Sequence, residues 1–295
     1  MTPAPQSRGR RSLPPAPSSP GDLHAAALAV LLAVALATPA PAADSALAPP
    51  PDSGDITASV LVPGPGRREV LPPAAEPIRV GESLKFSVQY GFIHAGSAWL
   101  EVPAVRDWNG RPVYQLVARA ESNAFFSRFY KVRNRIESYW DRRGLYSWRY
   151  FEDRREGRFK TKSEIVFDHE KSQAVYSDGR VFPTPPRVQD ALSSFYYTRF
   201  QALPLGGSVV FDYHASRKSQ PLQVKVLGRE RIETPAGTFD CVAIEPILKA
   251  GGIFKKQGRL VIWITDDSRR MPVLMKSKVI IGSISVVLVD VRPGT

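Results

Sequence analysis

Six basic residues form the sharpest chemical pattern in this chain. Lys131, Arg133 and Arg135 fall at alternate positions, with Val132 and Ile136 directed to the other side. Arg158, Lys160 and Lys162 repeat the spacing, with Phe159, Thr161 and Ser163 opposite. Alternation on a strand puts each triplet on one sheet face. Trp148 and Tyr150 lie on the strand between and offer amphipathic rings suited to a headgroup or a sugar. If the strands are neighbours, all six cations share a surface that attracts phosphates or uronates at long range, with strong salt dependence. These eight residues are the candidate binding site for an anionic amphipathic ligand. The plainer reading is a solvated face, its charges partly neutralised by Glu137, Glu152, Asp153, Glu156 and Glu164.

Other reactive residue types point away from catalysis. His94, His169 and His214 each stand alone in an expected turn or loop, and no His-x-His, Cys-x-x-Cys or His-Glu-x-x-His spacing occurs. No metal and no cofactor is expected. No Gly-x-Ser-x-Gly elbow is present, and Gly206-Gly207-Ser208 opens a strand rather than a phosphate-binding helix. Asp266-Asp267 is the most conspicuous acidic pair, but it sits between a strand and Ser268-Arg269-Arg270, where Asp commonly caps a turn. Cys241 is the single cysteine, in the strand-like run Thr238 to Ile244, and reads as a small buried hydrophobe. An enzyme of this chain would have to assemble Glu137, Glu156, Asp190 or Asp267, or a Ser–His contact, in one cleft.

The compartment is written at the start. Arg8, Arg10 and Arg11 precede the apolar run Leu23 to Ala37, and Ala40-Pro41-Ala42 follows. This is the layout of a secretory signal peptide over residues 1–43. At about 1.5 Å per residue the run spans roughly 22 Å, short of a bilayer's ~30 Å core. A lipoprotein needs a Cys at the cleavage site, and none is there. A periplasmic or secreted protein is expected. Residues 44–75 are rich in Pro, Ala, Gly and Ser, too poor in large apolar side chains to offset chain ordering, and read as a disordered linker. Residues 76–291 make one domain. The net charge is +12, and residues 1–75 hold five Arg against five acids, so the excess belongs to that domain. In an exported protein such an excess suits anionic lipid or glycolipid and a membrane surface rather than nucleic acid.

That domain reads as β throughout. Alternating segments run over Glu82 to Tyr90, Ser97 to Val105, Val113 to Ala120, Lys131 to Trp140, Leu145 to Arg154, Arg158 to Asp168 and Gln173 to Tyr176. After an interruption they resume over Ser208 to His214, Leu222 to Glu233, Thr238 to Pro246, Gly258 to Thr265, Met271 to Ile281 and Ser283 to Val291. Short connections make neighbours antiparallel, and so long a sheet must curl or close. The interruption, Val188 to Phe200, carries Ala191, Leu192, Phe195, Tyr196 and Phe200 at helical spacing. The expected fold is an all-β, strongly curved antiparallel sheet or open barrel with one covering helix. A second helical turn is expected within Ser122 to Tyr130.

Eight motifs in order resemble the DUF3108 family of exported bacterial proteins. They include Gly81-Glu82-Ser83-Leu84, Tyr90-Gly91-Phe92-Ile93-His94-Ala95-Gly96, Arg135-Ile136-Glu137-Ser138-Tyr139 and Gln189-Asp190-Ala191-Leu192. Arg155-Glu156-Gly157, Thr234-Pro235-Ala236-Gly237-Thr238-Phe239, Trp263-Ile264-Thr265-Asp266-Asp267 and Pro272-Val273-Leu274-Met275-Lys276-Ser277 complete the series. The resemblance implies export and transfers no catalytic residue. The Trp263 hairpin is also similar to one in the half-barrels of periplasmic lipoprotein carriers, an analogy of fold alone. The leading expectation is a non-catalytic envelope binding module for a lipid or lipidated glycan. The alternatives are a structural or assembly protein with an envelope protein partner, and a hydrolase of envelope glycan or ester bonds.

Overall fold

The computed structural model describes residues 76–248, 260–278 and 283–295. The leader and linker expected over residues 1–75 lie outside the described residues, as do the ends of two expected strands at Gly258 and at Ile281. Among the described residues, fourteen strands form one antiparallel sheet. They are β1 (Glu82–Tyr90), β2 (Ile93–Trp108), β3 (Arg111–Ser122), β4 (Val132–Asp141), β5 (Ser147–Glu156), β6 (Phe159–Asp168), β7 (Gln173–Tyr176) and β8 (Val181–Pro183). After the helix α1 (Ala191–Arg199) come β9 (Ser208–Ala215), β10 (Lys218–Thr234), β11 (Gly237–Leu248), β12 (Leu260–Thr265), β13 (Pro272–Lys278) and β14 (Ser283–Pro293).

Sequence neighbours pair throughout except β8 and β9, and β1 joins β14, so the order runs from β8 back to β1 and then from β14 to β9. This topology places every odd-to-even turn, from β1–β2 to β13–β14, at one rim of the curved sheet. The even-to-odd turns lie at the other rim. Period-two patterning sets the faces. On β1, Leu84, Phe86 and Val88 are buried against the core while Lys85 is exposed. The same alternation buries Ile136 and Trp140 on β4 and Ile262 and Ile264 on β12.

The sheet does not close. β8 and β9 are its edges, and the chain between them fills the gap. Gln189 makes an isolated parallel bridge to Tyr213, its N–H donating to the Asp212 carbonyl at 3.0 Å and its carbonyl accepting from the His214 N–H at 2.8 Å. On the far side the Ser147 N–H reaches the Val188 carbonyl. The helix then enters the concavity, with all its residues but Tyr197 buried. It is a plug rather than an outer cover. It begins at Ala191, three residues later than the apolar spacing suggests, because Asp190 caps it.

Three further details depart from the sequence reading. β8, three residues ending in a proline, is too short for alternation to register. Ser122 to Tyr130 holds only a single 3₁₀ turn, Phe126–Arg128. His94 and His214 belong to β2 and β9, not to loops. No helix of the described residues is long and apolar enough to cross a membrane.

Candidate functional site

The two basic triplets do share one face. β5 lies between β4 and β6, so Arg133 stands opposite Arg155 and Arg155 opposite Lys160, while Arg135, Asp153 and Lys162 form the next row. The face is the outer, convex one. Arg135 pairs with Glu137 at 2.6 Å. Asp153 is shared by Arg155 at 2.9 Å and Lys162 at 3.6 Å. The Arg155 guanidinium, with Lys162 behind it, holds the Asp153 carboxyl below its usual range. Among the described residues, Lys131, Arg133, Arg158 and Lys160 make no ion pair, and all four are exposed.

The two rings do not join these cations. Trp148 occupies a bulge, where Tyr139 and Trp140 on β4 oppose Arg149 and Ser147. It packs on His169 and Tyr146 near the far rim, donates to Asp141 at 3.0 Å and lies under Arg111. Tyr150 turns inward and is buried, its hydroxyl donating to Glu152 at 3.1 Å. Burial holds the Tyr150 phenol well above its ordinary pKa, with Glu152 adding to the effect.

Sequence reasoning also misplaced two acids. Glu137, Asp153 and Glu164 lie outside, where they neutralise arginines, but Glu152 and Glu156 face the interior. Glu156 receives Arg154 Nε at 3.1 Å and Nη2 at 3.0 Å, and Asn134 Nδ2 at 2.9 Å. The Arg154–Glu156 pair is 3% exposed on each side. Burial raises the pKa of Glu152, partly opposed by Arg154. Glu152, Arg154 and Glu156 form an inner row at period two, and the strand register sets Glu152 against Ile136 and Arg154 against Asn134.

Deeper in the concavity, Asp190 is completely buried. Its Oδ1 accepts from the N–H groups of Leu192 at 2.7 Å and Ser193 at 2.8 Å, and Oδ2 from the Ser138 hydroxyl at 2.5 Å. Desolvation still outweighs these bonds and raises its pKa. Beside the helix, an apolar cleft is lined by Phe195, Leu222, Val224, Ile244, Ile262 and Ile264, with a cavity volume of about 30 Å³. Leu222, Val224 and Pro246 come from the ends of β10 and β11 nearest the first rim.

The groups an enzyme would need do not converge. Glu137 is outside, Glu156 is locked to Arg154, and Asp190 caps α1. Asp267 accepts from the Thr265 hydroxyl, two backbone N–H groups and Arg269 in its own turn, and Arg229 holds Asp266. Among the described residues there are two Ser–His contacts: exposed His94 Nδ1 with Ser87 Oγ at 2.9 Å, and buried His214, whose Nδ1 meets Ser219 Oγ at 2.8 Å. The hydrogens of the buried contact are already assigned by the neighbours. The Arg217 N–H donates to the Tyr176 oxygen, leaving Tyr176 O–H to donate to His214 Nε2 at 3.0 Å. His214 Nδ1–H then donates to Ser219, whose own hydrogen goes to the Pro183 carbonyl at 3.1 Å. The ring nitrogen facing the serine therefore carries a proton and cannot take one. The chain of bonds latches the β7–β8 hairpin to β9 and β10. Burial pushes the Cys241 thiol up to about 12, with Asp240 adding to it, so it is no nucleophile.

These observations define an open, antiparallel β-barrel-like domain plugged by one internal helix. The chain belongs to the DUF3108 family, described as a protein of unknown function, whose model matches residues 85–289. No curated protein matches the sequence. The fold is similar to that of a beta-barrel-like protein of domain of unknown function DUF1849 from Brucella abortus, with a TM-score of 0.51 at 9% identity over 74% of this chain and 100% of that one. A DUF1089 family protein from Pseudomonas aeruginosa aligns at 12% identity and a TM-score of 0.32 over 60% of this chain and 87% of the other.

Proposed function

We propose that the domain is a non-catalytic binding module of the bacterial envelope, periplasmic or secreted, for an anionic amphipathic ligand such as a lipid or lipidated glycan. The observation that carries this reading is the apolar cleft between α1 and the inner faces of β10, β11 and β12. A helix held inside an open sheet leaves a hydrophobic space that a closed, fully packed barrel would fill. At about 30 Å³ the cleft accepts a water-sized group. An acyl chain enters as the plug yields. The secretory leader supports the compartment, and the excess of cations favours an anionic head.

Native mass spectrometry of the protein purified gently from its own envelope tests the reading. The comparison is Ile244→Trp, which fills the cleft, with Ile244→Phe as a milder variant in case the larger ring prevents folding. A bound amphiphile in the wild type that is lost from the folded variant is the expected result. A bare chain mass for the wild type, together with no uptake of a fluorescent fatty-acyl probe, overturns it.

A further inference from the structure

The first rim carries the largest exposed apolar side chains of the described residues. Phe92 at the β1–β2 turn is fully exposed, and Phe129 and Phe125 in the β3–β4 connection are 71% and 61% exposed. Ile93 beside Phe92 and Phe159 at the β5–β6 turn are open as well. Isolated surface hydrophobics need no explanation, but a contiguous set on three adjacent loops does.

The set is contiguous because the loops are tied together. Asn123 donates its backbone N–H to the Ala95 carbonyl at 2.9 Å and its side-chain amide to the His94 carbonyl at 2.6 Å. The same side chain accepts from the Phe126 N–H at 2.9 Å, which fixes the 3₁₀ turn against the β1–β2 hairpin. Phe125 then packs edge-on against both Phe126 and Phe129, with centroids 5.6 Å away in each case. On the other side the Gly157 N–H donates to the Lys131 carbonyl at 2.8 Å. Tyr130 lies so close over Gly157 that a Cβ there would meet its ring at 2.8 Å. The aromatic residues thus sit on a braced platform.

Cations ring that platform. Arg128, Lys131, Arg133, Arg158 and Lys160 are exposed at or next to these turns, and none makes an ion pair among the described residues. The exposed acid in the neighbourhood is Glu121, cross-strand from Arg133. Further round the rim, Asp178 is taken up by Arg180 and Arg217. A protein partner with an apolar patch would gain nothing from so many unpaired positive charges. A bilayer with anionic headgroups meets both features: rings enter the interface while the cations stay at headgroup level.

We propose that this rim, led by Phe92, Phe125 and Phe129 and flanked by Lys131, Arg158 and Lys160, docks the domain onto an anionic lipid bilayer. Docking stands apart from ligand uptake, since the rim residues do not line the cleft. It orients the ends of β10 and β11 that contribute Leu222 and Pro246 toward the membrane.

The test is flotation of the protein, as purified from its envelope, with phosphatidylglycerol–phosphatidylcholine vesicles and with phosphatidylcholine alone. Wild type is compared with Phe92→Ser/Phe125→Ser/Phe129→Ser and with Lys131→Glu/Arg158→Glu/Lys160→Glu, each checked for an unchanged thermal transition. All three carry whatever leader the protein retains. The expected result is partition onto anionic vesicles only, falling about tenfold or more in both variants and with rising salt. Because every changed side chain is exposed, folding is not at stake, and in the Ser variant bound amphiphile in native mass spectrometry stays at the wild-type level. Absence of partition, equal partition onto neutral vesicles, or charge dependence with no effect of the phenylalanines overturns the proposal. A wild-type dimer that the Ser variant dissociates, without vesicle binding, assigns the rim to a second copy of the chain instead.

Discussion

Arg199, on the last turn of α1, clasps Glu82, the first residue of β1, across 117 positions of sequence. Nη1 meets Oε1 at 2.7 Å and Nη2 meets Oε2 at 2.9 Å. The guanidinium also donates to the carbonyls of Pro77 at 2.7 Å and Arg269 at 3.0 Å, so the helix end is tied to both the first strand and the β12–β13 turn. Burial alone would lower the Arg199 pKa, but the Glu82 carboxylate more than offsets it. Removing one member of such a pair leaves an uncompensated buried charge. Arg199→Ala should therefore cost about 3–5 kcal/mol of stability. The paired change Arg199→Met/Glu82→Leu should recover most of that loss, because no charge is then stranded. Urea unfolding of the three chains decides the matter; a single-variant loss under about 1 kcal/mol would mean that packing alone holds the plug.

The other end of the plug depends on Asp190, which serves the helix and the sheet at once. Asp190→Asn keeps an acceptor for the Leu192 and Ser193 N–H groups and no longer buries a charge, so it should be within about 1 kcal/mol of wild type. Asp190→Ala leaves those donors and the Ser138 hydroxyl without an acceptor and should cost about 2–4 kcal/mol. Comparable losses in the two variants would assign the effect to the charge rather than to the cap.

Outside the barrel the scale is smaller. Arg135 and Glu137 meet at 2.6 Å, yet the arginine side chain is 46% exposed. Arg135→Ala should change stability by about 0–1 kcal/mol, and the change should shrink further in high salt. A larger loss in thermal unfolding would show that the outer charge rows form a cooperative network.

The contrast between these sites explains what was legible in the sequence. Where one face is apolar, as with Leu84, Phe86 and Val88, alternation locates the strand and its phase, and β1 and β7 match their expected bounds. On β5 both faces are polar. Glu152, Arg154 and Glu156 alternate with Asp153 and Arg155, so hydropathy cannot tell inside from outside, and the bulge at Trp148 shifts the phase. Tyr150 was placed on the wrong face for the same reason. The basic surface was legible because Lys131, Arg133 and Arg135 have Ile136 to set their phase. The cleft was not, since Leu222, Ile244 and Ile262 come from three strands whose closeness to Phe195 depends on the curvature of the whole sheet.

His214 offers the clearest dependence on pH. Burial drives its pKa down to about 4, against an ordinary value of about 6.5 for an exposed imidazole. Above about pH 6.5 the ring is neutral in folded and unfolded chains and contributes no pH dependence. As pH falls from about 6.5 to about 4, the unfolded chain binds a proton that the folded chain refuses, so stability is lost through that window. Below about 4 the folded ring protonates too, and the loss levels off. The slope approaches 1.4 kcal/mol per pH unit, for a total of about 3 kcal/mol. His169, lowered mainly by its own burial, contributes with the same sign. Protonating His214 Nε2 would also expel the Tyr176 hydrogen bond and open the latch between β7 and β9. His214→Gln keeps hydrogen-bonding capacity without titrating. Urea midpoints at pH 7, 6, 5 and 4.5 should therefore fall more steeply for wild type than for this variant, with His169 and the carboxylates common to both. Parallel curves would show that His214 is open to water in solution and that the latch is already broken.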